Sequence, residues 1–198
     1  MPNTNSPFGF QLVEDNSKTP VELCFIPATD GTAVFVGDLV KTAGSSGNIV
    51  GGPRKKTVAQ CAASNAIYGV VVGFQQHTVA TGMDLGRRHR PASTAMYCLI
   101  KPANNQDVYR TQSDDVGGTL ADTDIGLNCD YIVGTGNAVT GMSAMQMDTS
   151  TKQTTATLPL KILGFDDRPS NDVASANLKV LVRLNNIELS GGTGTAGV

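Results

Sequence analysis

The sequence predicts an all-β protein, a sandwich or barrel of about nine short strands with a jelly roll among the candidate topologies. Three observations carry that reading. Apolar residues come in short runs bounded by Gly, Pro, Asn and Asp. No window of helical length places apolar residues at i, i+3, i+4 and i+7. The polarity of the chain comes from small uncharged side chains, with 22 Gly and no Trp among 198 residues, and these suit turns and pleated surfaces better than helices.

Residues 1–10 read as an N-terminal arm carrying Pro7, Phe8 and Phe10. A single β domain is expected over 11–189. Its first strand is "VELCFIPA" (21–28), stopped by Pro27. "TAVFVGDLVKTA" (32–43) follows as a strand pair or a kinked strand bending at Gly37-Asp38, then "RKKTVAQCA" (54–62). "AIYGVVVGFQ" (66–75) has the continuous β-branched character of a strand buried on both faces. Gly69 and Gly73 would permit a bulge or a close backbone approach within it. "TAMYCLIKP" (94–102) and "QDVYRTQ" (106–112) flank Asn104-Asn105 and predict a hairpin.

The texture changes near 113–120, the candidate seam of the domain. "LNCDYIVG" (127–134) and "NAVTGMSAMQMD" (137–148) come next. In "TATLPLKILGF" (155–165), Leu158, Leu160 and Ile162 alternate with polar positions, and Pro159 predicts an edge strand or an outward-facing site. In "NLKVLVRLNN" (177–186), Leu178, Val180, Val182 and Leu184 form one buried face. Two long loops are expected, at 76–90 and 166–176, and residues 190–198 read as a flexible Gly-rich tail.

A chain of this length buries about 70% of its unfolded surface and needs no staple to fold. The net charge of −2 and pI near 5.6 argue against a dedicated nucleic-acid binder, which carries a broad basic face. Cys24, Cys61, Cys98 and Cys129 are widely spaced, without a C-x-x-C pair, so free thiols are favoured over zinc or a disulfide framework. The N-terminus lacks a charged segment followed by an apolar one, so no secretory signal is read, and no apolar run approaches the ~20 residues of a membrane span.

Neither His77 nor His89 stands beside a nucleophile signature. "GTG" at 134–136 does not open a helix, so it is read as a hairpin turn rather than a dinucleotide loop. Asp122, Asp124, Asn128 and Asp130 around Gly126 are loosely calcium-like, but the oxygen spacing of a dedicated loop is missing. Turn chemistry by Asp and Asn is the favoured account of them. No catalytic, cofactor or metal residue is assigned. The remaining feature is Arg87, Arg88, His89 and Arg90, four adjacent side chains that are or can be cationic in an otherwise acidic chain. No aromatic interleaves them as in nucleic-acid sites, so the preferred functional reading is docking onto an acidic protein surface, and a merely solvated loop stands open beside it.

The stretches "NTNSPFGF" (3–10), "DGTAVFVGD" (30–38), "AIYGVVVGF" (66–74), "RPASTAMY" (90–97), "ADTDIGLNCDYIVG" (121–134) and "DTSTKQTTATLPLKILG" (148–164), ending at "NLKVLVRLNN", resemble virion structural proteins of tailed bacteriophages that coat or cement the capsid. The resemblance implies a non-enzymatic β-rich cement or decoration protein, homotrimeric, made in the host cytoplasm and placed on the outer face of the shell. Its partners would be the major capsid protein and its own copies, with no cofactor, nucleic acid or membrane. Pro7, Phe8 and Phe10 of the arm would anchor in a neighbouring subunit, and Arg87, Arg88, His89 and Arg90 would meet the acidic shell. The alternative is a carbohydrate- or ligand-binding β-sandwich, such as a head-fibre accessory, using Ca²⁺ at Asp122, Asp124 and Asp130. Its weakness is an aromatic content of only 5%.

Overall fold

The structure, a computed structural model, describes residues 2–75, 88–173, 175–191 and 194–197. Eleven strands are present: β1 (Gln11–Glu14), β2 (Glu22–Ile26), β3 (Leu39–Gly47), β4 (Lys55–Gln60), β5 (Gly69–Gln75), β6 (Met96–Pro102), β7 (Val108–Gln112), β8 (Asn128–Ile132), β9 (Gln146–Gln153), β10 (Leu160–Phe165) and β11 (Lys179–Leu184). Two single 3₁₀ turns, Asp122–Asp124 and Glu188–Ser190, are the only helical elements among the described residues. The all-β expectation holds.

Strands β2 to β6 close into a barrel in the order β2-β4-β3-β5-β6, and the remaining strands form a sheet in the order β1-β7-β11-β10-β8-β9. In the barrel every neighbouring pair is antiparallel except β2 with β4, which run parallel. The same wiring recurs in the sheet. β7, β11, β10, β8 and β9 pair antiparallel in that sequence. The sheet then curls until Ser113, just past β7, bridges Met147 of β9 in parallel. Two five-stranded units therefore share one topology, and β1 is an added strand on β7. A jelly roll is excluded, because it contains no such parallel neighbours.

The chain leaves the second unit after β1, builds the whole barrel, and returns at β7 beside β1. The change of unit thus falls at 15–21 and 103–107, and 113–120 is a connection inside the second unit. Buried Lys101 secures this crossing: its ammonium donates to Asp15 Oδ1 at 2.6 Å and to the Thr19 carbonyl at 2.8 Å. Asp107, fully buried, accepts from the Ser17 amide and hydroxyl, each at 2.7 Å. The hairpin expected over 94–112 does not form, since β6 pairs with β2 and β5 while β7 pairs with β1 and β11.

Other expectations resolve strand by strand. Leu178, Val180, Val182 and Leu184 are all buried while Arg183 is exposed, as period two requires. β5 carries the expected irregularity between Val71 and Gly73, and a Cβ on Gly69 would meet the Lys101 carbonyl at 2.5 Å. Its second half is open, however, with Val72 40% exposed, so the strand is not buried on both faces throughout. β10 is central, between β8 and β11, and not an edge. Pro159 is tolerated because it is buried just before the ladder begins at Leu160, where its carbonyl accepts from the Asn185 amide at 2.7 Å. The strand expected over 137–148 begins only at Gln146, because Asn137–Gly141 is a turn whose Asn137 Oδ1 accepts from the amides of Val139 and Thr140.

The largest apolar core spans both units. Leu39, Ile67 and Val70 of the barrel meet Tyr131, Met145, Met147, Leu160, Ile162 and Val182 of the sheet. Backbone bridges Val36–Met142 and Ile67–Ile187 stitch the same contact. A second cluster, including Ile26, Val40, Val58, Val71 and Ile100, fills the barrel itself. All four cysteines are free and buried; Cys24 and Cys98 are direct partners across β2 and β6. Burial holds the Cys24 thiol up at about 11 and Cys61 at about 12, as expected of small buried hydrophobes.

The described terminal segments, 2–10 and 194–197, lie on the body. Gly9 and Gly37, with φ of +72° and +92°, let two backbones cross; a Cβ on Gly9 would sit 2.5 Å from the Gly37 carbonyl. Phe10 follows and enters the shared core, 2% exposed, with its amide donating to the Gly37 carbonyl at 2.9 Å. At the other end, residues 194–197 lie against β8 and β10 instead of trailing freely: Thr195 N–H donates to Asn185 Oδ1 at 2.8 Å, and Asn128 Nδ2 donates to the Thr195 carbonyl at 2.7 Å.

Candidate functional site

The basic stretch ends the connection between β5 and β6. Arg87 and His77 lie outside the described residues; Arg88, His89 and Arg90 are placed, in three different environments. Arg90 is fully buried. Its backbone pairs with Val34, and its guanidinium donates to the carbonyls of Thr94, Pro27 and Asp30, each at 2.7 Å, and to that of Thr32. Asp30 Oδ1 stands 3.8 Å away. Burial pulls the Arg90 pKa down and Asp30 opposes this. Arg90 therefore does not face a partner. A rigid planar fork with several donors is the side chain suited to gathering carbonyls from separate loops, and here it ties 27–32 to 94.

His89 is half-buried and stacks on Phe35, with ring centroids 4.9 Å apart and planes 6° apart. Only Arg88 of the described cluster is exposed. It lies against the 137–141 turn: a Cβ on Gly141 would meet the Arg88 carbonyl at 2.5 Å. Val139, at the tip of that turn, is 84% exposed. The segment bearing exposed Arg88 thus packs by its backbone on the turn that bears exposed Val139, next to the Phe35–His89 stack and the Arg90 anchor.

The arm makes a second cationic surface. In the register of β7 and β11, Gln112 pairs with Lys179 and Arg110 with Leu181, so these side chains share the outer face, opposite Thr111 and Val180. The arm crosses that face. Gln112 Oε1 accepts from the Ser6 amide at 3.1 Å, and its Nε2 donates to the Thr4 carbonyl at 2.9 Å. Asn3 reaches the 171–175 segment, donating to the Asp172 carbonyl and accepting from the Asp172 amide. Phe8 covers Arg110, whose guanidinium carbon is 5.5 Å from the ring centre. Pro7 and Phe8 are half-buried and Phe10 is fully committed to its own core, so the arm anchors within its own chain. The expected anchor Phe10 thus has its ring buried at the junction of its own two units, leaving Pro7 and Phe8 as the partly exposed members of the arm.

Between the arm and residues 168–170 lies an open groove of about 590 Å³. Arg110 and Arg168 both reach Asp166 Oδ2 at 3.2 Å, and Lys179 lines the groove beside them. Sequence reasoning missed Arg110 and Arg168. The outward position of Lys179 was legible from the alternation in β11; its convergence with the two arginines depends on strand order and on the arm.

The calcium-like residues disperse. Asp124 Oδ2 is held by Lys152 at 2.8 Å, and Asp130 accepts from the Ser64 amide, the Ser64 hydroxyl and the Tyr131 amide. Asn128 Nδ2 serves the carbonyls of Thr155 and Thr195. Among the described residues no three His, Cys, Asp or Glu side chains gather as metal ligands. The turn reading of "GTG" agrees with the fold, since 133–145 joins the paired strands β8 and β9. Compared with known protein families, with curated proteins and with solved structures, the chain matches none.

Proposed function

We propose that this chain is a non-enzymatic virion structural protein of tailed-phage type. It sits on the outer face of the capsid, binds the major capsid protein and cements or decorates the shell, acting as a homotrimer. The proposal rests on the sequence resemblance, and one structural observation supports it best. Arg88 and Val139 are presented together on a base that Arg90 makes rigid, a pairing suited to an acidic, partly apolar protein surface. A rigid patch loses little entropy on docking, and a trimer repeating it multiplies modest contacts through effective concentration. The arm stabilises the subunit in this reading and leaves the partner contact to Arg88.

The test compares particles assembled with and without the protein. Bound protein is expected to raise the temperature of DNA release and to protect against release at low salt. Identical release in the two preparations overturns the cementing role.

A further inference from the structure

We infer that the groove beside the N-terminal arm is a binding site for an extended acidic peptide segment. This concerns the isolated chain and stands apart from the capsid reading, so either can fail alone.

Three cationic side chains, Arg110, Arg168 and Lys179, converge on the groove. Asp166 is shared between the two arginines, at 3.2 Å to each. Lys179 engages no ion pair among the described residues. The residues that line the groove include these three cations and no Asp or Glu, in a chain of net charge −2. Arg110 is fixed by Asp166, by Gln11 Oε1 at 2.7 Å and by Phe8. Arg168 is 56% exposed, so it can fork onto an incoming carboxylate without unpacking anything. The walls supply hydrogen-bonding groups from Asn3, Thr4 and Ser6 and apolar surface from Phe8 and Pro169. An open trough of about 590 Å³ with such walls fits a short extended backbone carrying Asp or Glu better than an enclosed small molecule. Nucleic acid is disfavoured, because no exposed aromatic face is offered for base stacking: the Phe8 ring is half-buried against Arg110.

The experiment measures fluorescence anisotropy of a labelled hexaglutamate peptide against the full chain, with hexaglutamine and a single-stranded hexanucleotide as comparisons. Hexaglutamate is expected to bind at least about tenfold tighter than hexaglutamine, with affinity falling as salt rises. Replacing Arg168→Gln together with Lys179→Gln should weaken it about fivefold or more, whereas Arg88→Gln should change it less than about twofold. Arg110 is left intact because it holds the arm. Equal binding of hexaglutamine, an equal loss in Arg88→Gln, or tighter binding of the oligonucleotide would each overturn the assignment. A second readout needs no variant: carbodiimide coupling of the bound peptide to the wild-type chain should mark Lys179 ahead of Lys18 and Lys56. Uniform marking overturns the site.

Discussion

The two five-stranded units have one wiring but differ in closure. In the first, β4 lies parallel beside β2, with Phe25 opposite Thr57, and the barrel is complete. In the second, the corresponding edge of β7 is divided. β1 takes its first half, from Val108 to Arg110, and only Ser113, just beyond the strand, reaches Met147 of β9. An added strand has occupied the seam. The first unit accordingly keeps a core of its own, while the inner face of the second joins residues of the barrel in a shared core. The difference teaches that closure depends on what competes for the parallel edge, and that the strand order leaves it open.

The connection between the fourth and fifth strands shows the same contrast. In each unit a buried polar side chain pins the described part of that connection. In the first unit that residue is Arg90, a charge surrounded by carbonyls. In the second it is Asn171, whose amide donates to the carbonyls of Asp166 and Lys179, each at 2.8 Å, and accepts from the Lys179 amide at 2.9 Å. Removing Arg90 strands four carbonyls and the Asp30 carboxylate. Arg90→Ala is therefore expected to cost about 3–5 kcal/mol. Asn171→Ala, with no charge involved, should cost about 1–3 kcal/mol. Urea unfolding of the two variants measures both. Equal losses would mean that the two loops are secured alike and that the charge at 90 adds nothing.

A carboxylate ties the strand order of each unit together, again in different surroundings. Asp114 accepts from the amide and hydroxyl of Thr149 on β9, both at 2.9 Å, and is only partly buried. Asp38, 1% exposed, accepts from Gln60 of β4 and from the Phe35 amide, each at 2.8 Å. Burial raises the Asp38 pKa above its ordinary 3.8, against the pull of its hydrogen bonds. Between the unfolded and folded values the native state holds a proton that the unfolded state has lost, so stability falls as pH rises through that window. Asp38→Asn cannot ionise, so its stability relative to the parent is expected to be greater at pH 7 than at pH 4. Thermal midpoints at the two pH values check this. The same difference at both would show that folding does not raise the Asp38 pKa.

What the sequence revealed depended on whether a residue's environment is local. β11 was legible because alternation with one buried face survives in any partner arrangement. The kink at Gly37 and the irregularity at Gly73 were legible because glycine marks backbone geometry directly. β1 was not, since "QLVE" is mostly exposed and shows no buried face to alternate. The repeated topology was invisible too, because it lies in which strands pair, and that is fixed by contacts between residues far apart in the chain. Arg90 was misplaced for the same reason. Beside Arg87 and Arg88 it read as surface charge, and only the approach of 27–32 from another part of the chain buries it. Phe10 read as a bare anchor until the Gly9–Gly37 crossing turned it into the core.

The smallest expected effect on stability belongs to the residue with the largest proposed role outside the fold. Arg88 shares a sequence neighbourhood with Arg90, yet its side chain is exposed and engages no ion pair among the described residues. Arg88→Ala should therefore shift unfolding by no more than about 0.5 kcal/mol. If Arg88 serves the capsid contact, occupancy on particles should fall and the salt dependence of binding should flatten, because an exposed charge acts through a screened field. The adjacent Val139→Ala variant sharpens the point, since loss of apolar area should lower occupancy without changing the salt dependence. Unchanged occupancy in both variants would detach the 88–90 segment from partner binding and leave it as the loop that Arg90 secures.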